Sequence, residues 1–119
     1  MARSHELGRR GEAMAESLLR RRGWRILDRN WRFGHKEIDL IAERDGIVAF
    51  VEVKARSGVG FGHPLHALTG RKRRELATAA RAWVARHGQP GTVFRFDAVW
   101  VLRDGGGLLV RHEEDAWRL

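Results

Sequence analysis

Four charged side chains on either side of a predicted hairpin turn are the residue types of a metal-dependent hydrolytic site. The turn is the Asp-Gly dipeptide at positions 45 and 46, the strongest short-range hairpin signal that a sequence offers. Counting outward from a two-residue turn places Asp39 opposite Glu52 and Glu37 opposite Lys54. Directly opposed residues have Cβ atoms about 4.5 to 5.5 Å apart, so facing carboxylates repel each other and favour a bound cation.

A divalent metal ion is predicted on this strand face because three carboxylates there stand against one ammonium. The two-residue period of a strand puts all four groups on the face opposite the apolar one. Mg²⁺ is a hard ion that takes one or two carboxylates, keeps several waters and leaves positions for phosphate oxygens, and Mn²⁺ favours the same donors. Bridging Asp39 and Glu52, the ion would polarise a phosphate and lower the pKa of a bound water.

Lys54 would stand beside that water or the scissile phosphate. It could orient the nucleophile, help to deprotonate it or neutralise the developing charge, and the sequence does not choose among these roles. The alternative for the whole group is an exposed strand face on which charges only pair, Glu37 with Lys54 in particular. The chain has no cysteine, which excludes disulfides, thiolate ligands and cysteine nucleophiles, so any metal must be held by oxygen or imidazole.

The elements that hold these residues follow from the hydrophobic pattern, which predicts a single α/β domain over residues 1–119 with a mixed sheet flanked by helices. The first helix ends at Gly23, and the second begins after the capping residue Thr69. The helices are predicted from about His5 to Arg22 and Gly70 to His87, and the strands at Trp24 to Phe33, within the hairpin from Glu37 to Arg56, at Val93 to Leu102 and at Leu108 to Arg111.

Apolar residues at strand and helix spacing predict the core. One face of each hairpin strand is apolar, and each helix has one apolar stripe. The predicted core residues are Ile38, Leu40, Ala42, Ile47, Ala49, Val51 and Val53 in the hairpin, and Leu7, Gly11, Met14, Ala15, Leu18, Leu76, Ala79, Ala80, Trp83 and Val84 in the helices. Glycines at 58, 60 and 62, with His63 and His66, predict a loop beside the site rather than a phosphate-binding motif or a transition-metal site.

The formal net charge of +8 makes a polyanion, nucleic acid above all, the expected partner. Arg71, Lys72 and Arg73 crowd the first turn of the second helix, where the helix dipole disfavours cations unless a phosphate is bound. The alternatives are a general overuse of arginine in this chain and, for the helix, solvation with pairing to Glu75.

No apolar run approaches the roughly 20 residues that span a bilayer. The first ten residues lack the apolar core of a signal peptide. We therefore expect a cytosolic protein.

The two hairpin segments, EIDLIA at residues 37–42 and FVEVKAR at residues 50–56, resemble the YraN family of small bacterial proteins. The resemblance covers about residues 8–101. That family resembles the restriction-endonuclease-like fold, with an αβββαβ core and a PD-(D/E)-x-K active site. Further matching positions are Gly8 to Glu12, Ala15, Arg29, Asn30, Phe61, Gly62, Lys72 and Arg95 to Asp97.

The resemblance implies that Asp39 and Glu52 hold the metal, with the main-chain carbonyl of Val53 as a further ligand and Lys54 as the motif lysine. Archaeal Holliday-junction resolvases, which are similar, have an additional glutamate on the first helix, and Glu12 corresponds to it. A helix position at the border of the buried stripe lets that side chain reach past the sheet. The alternative for Glu12 is an ordinary exposed helix carboxylate.

Two functions are compatible with these features. The first is a Mg²⁺- or Mn²⁺-dependent endonuclease that cuts phosphodiester bonds in structured or damaged DNA. The second is a non-catalytic protein of the same fold that binds DNA or RNA. The acidic pair favours the first, because a pure binder gains nothing from carboxylates facing phosphate. A homodimer is expected if paired cuts are made, and the predicted nucleic-acid contacts are Lys36, Arg56, Arg71, Lys72 and Arg73.

Overall fold

Two helices and five strands make up the protein in the computed structural model, which describes residues 2–57 and 69–118. The predicted loop glycines and the histidines at 63 and 66 lie outside these residues. In chain order the elements are α1 (Ala2–Arg21), β1 (Arg25–Phe33), β2 (Lys36–Arg44), β3 (Ile47–Ser57), α2 (Gly70–His87), β4 (Val93–Asp104) and β5 (Gly107–Trp117).

The five strands form one mixed sheet in sequence order, in which only β3 and β4 are parallel. These two strands run in the same direction because α2 lies in the connection between them. The predicted αβββαβ order of the restriction-endonuclease-like core is confirmed, and β5 extends it. This last strand continues past the predicted end at Arg111, because a kink at Asp115 (φ 50°) lets Trp117 stack on Phe96 with ring centroids 4.0 Å apart.

The β2–β3 hairpin has the predicted turn and register. Asp45 and Gly46 both have positive φ values, 52° and 77°, as a two-residue type I′ turn requires. The strands then pair from Arg44 with Ile47 to Leu40 with Val51. Asp39 and Glu52 are the next residues on the two strands.

Helix α2 has the predicted bounds, and the Thr69 hydroxyl accepts a hydrogen bond from the Lys72 N–H at 3.1 Å. Helix α1 ends before Gly23, whose φ is +89°. From residue 8 onward, the part of α1 whose side chains are described, Gly11, Ala15 and Leu19 are buried, and the predicted Leu7 lies outside that part. The predicted Met14 and Leu18 are only half-buried, because the line of contact follows a four-residue spacing. A Cβ on Gly11 would lie 3.2 Å from the Cβ of Ala55, so the helix backbone approaches β3 closely.

Both faces of the hairpin are buried, so the prediction of a single core face is wrong. On one side, Leu40 and Val51 pack in a cluster with Leu19 of α1. On the other side, Phe50 and Trp83 of α2 lie in a second cluster and contact each other edge to face at 5.8 Å. The two clusters arise because the residues that point to the second face of β2 and β3, such as Ile41, Val48 and Phe50, are also apolar. This pattern is typical of a sheet with a helix on each side.

The alternation of side chains along β2 breaks at Asp39. Leu40 belongs to the α1-side cluster, whereas Ile38 belongs to the α2-side cluster, although two residues separated by two should share a face. On the neighbouring strand, Asn30 has a positive φ of 46° between the pairs that β1 and β2 form on either side. Asp39 is also the first residue of β2 beyond the last pair that this strand forms with β3, Leu40 with Val51. Neither of the helices described offers an apolar stretch suited to crossing a bilayer.

Candidate active site

Asp39 lies where β2 and β3 separate. Its Oδ2 atom accepts a hydrogen bond of 2.8 Å from the main-chain N–H of Val53, just beyond the last strand pair, Leu40 with Val51. The Asp39 side chain, rather than a main-chain carbonyl of β2, therefore accepts the hydrogen bond of this β3 N–H group. The same contact holds the carboxylate beside Glu52, the residue before Val53.

The environment of Asp39 opposes its ionisation. Burial is the main cause that raises the pKa of this carboxyl group to about 7, and the negative charge of Glu52 is the second. The hydrogen bond from Val53 lowers the pKa, but Glu12 and Glu37 raise it further. Four carboxylates from α1, β2 and β3 thus share one electrostatic environment.

Glu52 is the most buried of these four carboxylates, at 6% exposed. Its Oε1 atom lies 3.2 Å from the Lys54 ammonium. Its Oε2 atom is buried and has no hydrogen-bond partner among the described residues. An ionised carboxylate oxygen without a donor is costly to bury, so this atom marks a place that suits a cation.

Glu37 does not form the ion pair with Lys54 that was considered as an alternative. It pairs with Arg32 instead, with 3.1 Å between the charged atoms, while Lys54 pairs with Glu52. Its Oε1 atom also accepts a hydrogen bond of 3.2 Å from the amide of Asn30.

Asn30 connects α1 to the strands at this site. The same amide nitrogen that contacts Glu37 also donates to Glu12 Oε1 at 3.0 Å. No site role for Asn30 is predicted from the sequence. Its signal is weak, since an asparagine within a strand pattern indicates at most a residue tolerant of positive φ.

The prediction that all four groups lie on one strand face is wrong. Glu37 is linked through Asn30 to Glu12 of α1, so it lies on the α1 side of the sheet. Glu52 is two residues from Phe50, so the two side chains share a strand face. Phe50 contacts α2, and Glu52 therefore lies on the α2 side. The break in alternation at Asp39 causes this difference, and Asp39 lies between the two sides.

The two glutamates of α1 at this end of the sheet have different partners. Glu16 forms two hydrogen bonds of 2.6 Å with Arg29, which together with Arg20 lower its pKa to about 2 although burial opposes them. Glu12 instead contacts the neutral amide of Asn30. Glu12 therefore contributes negative charge to the site, whereas the charge of Glu16 is balanced by arginine.

The donor set suits a hard cation that keeps most of its water. Within residues 2–57 and 69–118, no three carboxylate or imidazole groups converge as a closed metal cage. Mg²⁺ needs no such cage, because one or two carboxylates and several waters complete its shell. Asp39 and Glu52 offer two carboxylates with repulsion to relieve and one partnerless oxygen, so these residues fit the ion.

The predicted nucleic-acid contacts lie on three elements. Arg71, in the first turn of α2, pairs with Glu75 at 3.3 Å, which is the arrangement considered as an alternative. Arg73 is half-buried, and its Nε atom has no partner among the described residues. Lys72 and Lys36 are half-buried, while Arg56, at the end of β3, is exposed.

Asp97 belongs to a separate buried cluster, in which it partners an arginine. It is 0% exposed and accepts two hydrogen bonds from Arg95, at 2.8 and 3.0 Å, and one from the Asp115 N–H at 2.9 Å. Its Oδ2 atom also lies 2.8 Å from Nε2 of His112. Although burial raises its pKa, these partners outweigh burial and hold the pKa below its usual range.

Comparison with known proteins identifies relatives across most of the chain. A profile of the uncharacterised protein family UPF0102 matches residues 11–101. A UPF0102 protein of Nitratidesulfovibrio vulgaris is 44% identical over 115 residues, covering 97% of this chain and 86% of the relative. One of Chloroherpeton thalassium is 45% identical over 97 residues, covering 82% and 75%, and one of Clavibacter michiganensis is 43% identical over 107 residues, covering 90% and 91%. UPF0102 is the YraN family, so the resemblance is confirmed.

Proposed function

We propose that this chain, which belongs to the uncharacterised protein family UPF0102, is a cytosolic metal-dependent endonuclease that hydrolyses phosphodiester bonds in structured or damaged DNA. One observation carries the proposal: the charge of Glu52 and burial raise the pKa of Asp39 to about 7 where β2 and β3 separate, and an oxygen of Glu52 has no hydrogen-bond partner among the described residues. Two buried carboxylates in this state cost stability unless a cation or a proton relieves them.

Each residue has a role in this proposal. Asp39 and Glu52 would hold Mg²⁺ or Mn²⁺, with the Val53 carbonyl as a further ligand and Glu12 in support. The bound metal would supply a polarised phosphate and a water of lowered pKa. Lys54 would orient that water or neutralise charge on the phosphate, and its distance of 3.2 Å from Glu52 keeps its ammonium at the site.

Basic side chains on α2, β2 and β3 would position the DNA. Contacts to phosphates fix the register of a nucleic acid without reading its sequence. Arg71, Lys72 and Arg73 at the start of α2, together with Lys36 and Arg56, would provide these contacts. The net charge of +8 would steer DNA to the protein at low salt.

Metal binding is tested without activity by thermal unfolding. We expect 10 mM Mg²⁺ or Mn²⁺ to raise the Tm of the wild type by a few degrees, as for a ligand with a millimolar dissociation constant. The shift should vanish in Asp39→Asn and Glu52→Gln. Glu43→Gln is the matched control, because Glu43 also lies on β2 but pairs with Arg25 away from the site. Equal shifts in all four proteins would contradict metal binding by Asp39 and Glu52.

Cleavage is tested on labelled single-stranded, duplex, flap and four-way-junction DNA with Mg²⁺, Mn²⁺ or EDTA. The expected result is metal-dependent cutting of at least one branched substrate, lost by at least a hundredfold in Asp39→Ala and Glu52→Ala but kept in Glu43→Gln. Cutting that persists in both alanine variants would exclude this pair as the active site. Metal-dependent stabilisation without any cutting would reject the nuclease assignment alone.

A non-catalytic DNA- or RNA-binding protein is the second candidate. The ion pair between Lys54 and Glu52 favours it, because an ammonium at 3.2 Å already balances one carboxylate without a metal. In that case the same variants would retain nucleic-acid affinity, and divalent ions would alter neither the Tm nor the substrate.

A further inference from the structure

We propose that Trp31 and Phe33, at the end of β1, form a platform on which an unpaired DNA base stacks next to the candidate active site. The inference rests on the proposed function and specifies its substrate as DNA in which a duplex meets a single strand. Aromatic side chains bind bases in this way because every base has a π-face, whatever its sequence.

The two rings form a fixed and partly open surface. Their planes differ by 4° and their centroids lie 6.4 Å apart, an offset parallel arrangement. Trp31 packs against the α2-side core, and the Arg86 guanidinium lies 5.9 Å from its ring. Phe33 is 39% exposed. One ring is therefore held by the protein, while the other is available to a ligand at little entropic cost.

The platform lies beside the carboxylates. Trp31 pairs with Ile38, the neighbour of Asp39, and both pack on the α2 side of the sheet, the side on which Glu52 also lies. Phe33 lies three residues beyond Asn30, about 10 Å along a strand. That separation corresponds to a rise of about three base pairs along the axis of B-DNA, so it spans no more than a few nucleotides of a strand. A base on Phe33 would thus belong to a nucleotide close to a phosphate at the site.

The charge around the platform favours DNA, rather than an apolar surface of another protein, as its ligand. Phe33 pairs with Lys36 across β1 and β2, and Arg32, which precedes it, is ion-paired with Glu37. The other large apolar residues exposed within the described part of the chain are Val93 and Leu109, at 57% and 61%. Single exposed apolar residues need no functional explanation, but neither of these two is aromatic. Phe33 differs because it is stacked on Trp31, pairs with Lys36 and lies on a strand next to the carboxylates.

The test measures binding in EDTA, where cutting cannot interfere. The probes are a blunt hairpin duplex and the same hairpin with a ten-nucleotide overhang, each end-labelled for fluorescence anisotropy. We expect Phe33→Leu, which keeps an apolar side chain without a π-face, to weaken overhang binding roughly 5- to 100-fold. Blunt-duplex affinity should change less than twofold. The control is Leu109→Ala, an exposed apolar residue on β5, which should leave both affinities unchanged.

A second measurement locates the base. 2-Aminopurine is placed at successive overhang positions, and its emission should change on binding at one or two adjacent positions only. That change should disappear in Phe33→Leu, with the thermal unfolding midpoint retained. Unchanged overhang affinity and unchanged emission in Phe33→Leu would overturn the inference while leaving the nuclease assay untouched. If Phe33→Leu loses overhang binding but the wild type never cuts DNA, the platform is supported and the proposed nuclease activity is rejected.

Discussion

Asp39 Oδ2 accepts a hydrogen bond of 2.8 Å from the Val53 N–H, so one of the candidate metal ligands also bonds β2 to β3. The bond fixes the orientation of the carboxylate before any ion arrives. It also makes the site part of the sheet rather than of a loop, and variants must keep that bond to isolate the role of charge. Asp39→Asn retains an oxygen acceptor, whereas Asp39→Ala does not.

We expect Asp39→Asn to stabilise the metal-free protein at alkaline pH. The pKa of about 7 lies above that of an unfolded aspartate, near 3.9, so the folded state binds this proton more tightly. The stability it contributes is therefore full below about pH 4, falls as pH rises and is gone above about pH 7. At pH 8.5 in EDTA the substitution should raise the free energy of unfolding by up to about 4 kcal/mol, at about 1.36 kcal/mol for each unit between the two pKa values.

Urea unfolding of the wild type and Asp39→Asn at pH 5 and pH 8.5 measures this difference. The gain should be larger at pH 8.5. A gain of equal size at both pH values would mean that Asp39 is not protonated in this range.

We expect Asp97→Ala to destabilise the protein by about 3 to 5 kcal/mol, because it leaves Arg95 and the backbone of Asp115 without their buried acceptor. The lowered pKa of Asp97 has the opposite pH sign to Asp39. Its contribution is present above about pH 4 and is lost as pH falls through the lower folded pKa. Chemical unfolding at pH 7 and pH 3 should show a smaller effect at pH 3. Arg118→Ala, which breaks an exposed ion pair, should cost less than about 1 kcal/mol at either pH.

We expect Gly11→Ala to be less stable than Gly8→Ala by about 1 to 2 kcal/mol. Both substitutions raise helix propensity in α1. A Cβ on Gly8 meets no atom within 4 Å, whereas a Cβ on Gly11 would lie 3.2 Å from that of Ala55, which moves only with its strand. Thermal unfolding of the two variants compares them directly. Equal stability would show that α1 can move away from β3 without cost.

We expect Asn30→Gly to release Glu12 from its hydrogen bond without unfolding the protein. Glycine keeps the positive φ of 46° but removes the amide that contacts Glu12 and Glu37. In the proposed nuclease, metal-dependent cleavage should fall about tenfold through a weaker metal affinity, a loss of the size seen for outer-shell partners. Saturating Mn²⁺ should restore most of it. Asn30→Ala, which adds backbone strain, should in addition lower the Tm.

Sequence alone predicted most of the fold because its signals are local. The Asp-Gly turn, the Thr69 cap and the apolar stripe of α2 each act within a few residues, and each is confirmed. The four-residue contact line of α1 was missed, because Leu18 and Leu19 are equally apolar and only the sheet beneath the helix selects one of them.

The candidate site was predicted in part. Pairing outward from the turn placed Asp39 near Glu52, which agrees with the register and with the effect of Glu52 on the pKa of Asp39. Strict alternation also predicted that Glu37 and Glu52 share a face, and they do not. The cause is the break in side-chain alternation at Asp39, beside the positive φ of Asn30, where two strands and a helix meet. Such a tertiary feature has no short-range signature in the sequence.

The turn at residues 45 and 46 has an effect well beyond its own position. Five residue pairs separate it from Asp39 and Glu52, roughly 17 Å at the rise of an antiparallel strand. An extra residue in the turn would slide β2 along β3 and move Asp39 away from the Val53 N–H without altering any side chain of the site. The length of a solvent-exposed loop at one end of the sheet therefore decides whether two acidic groups at the other end come together.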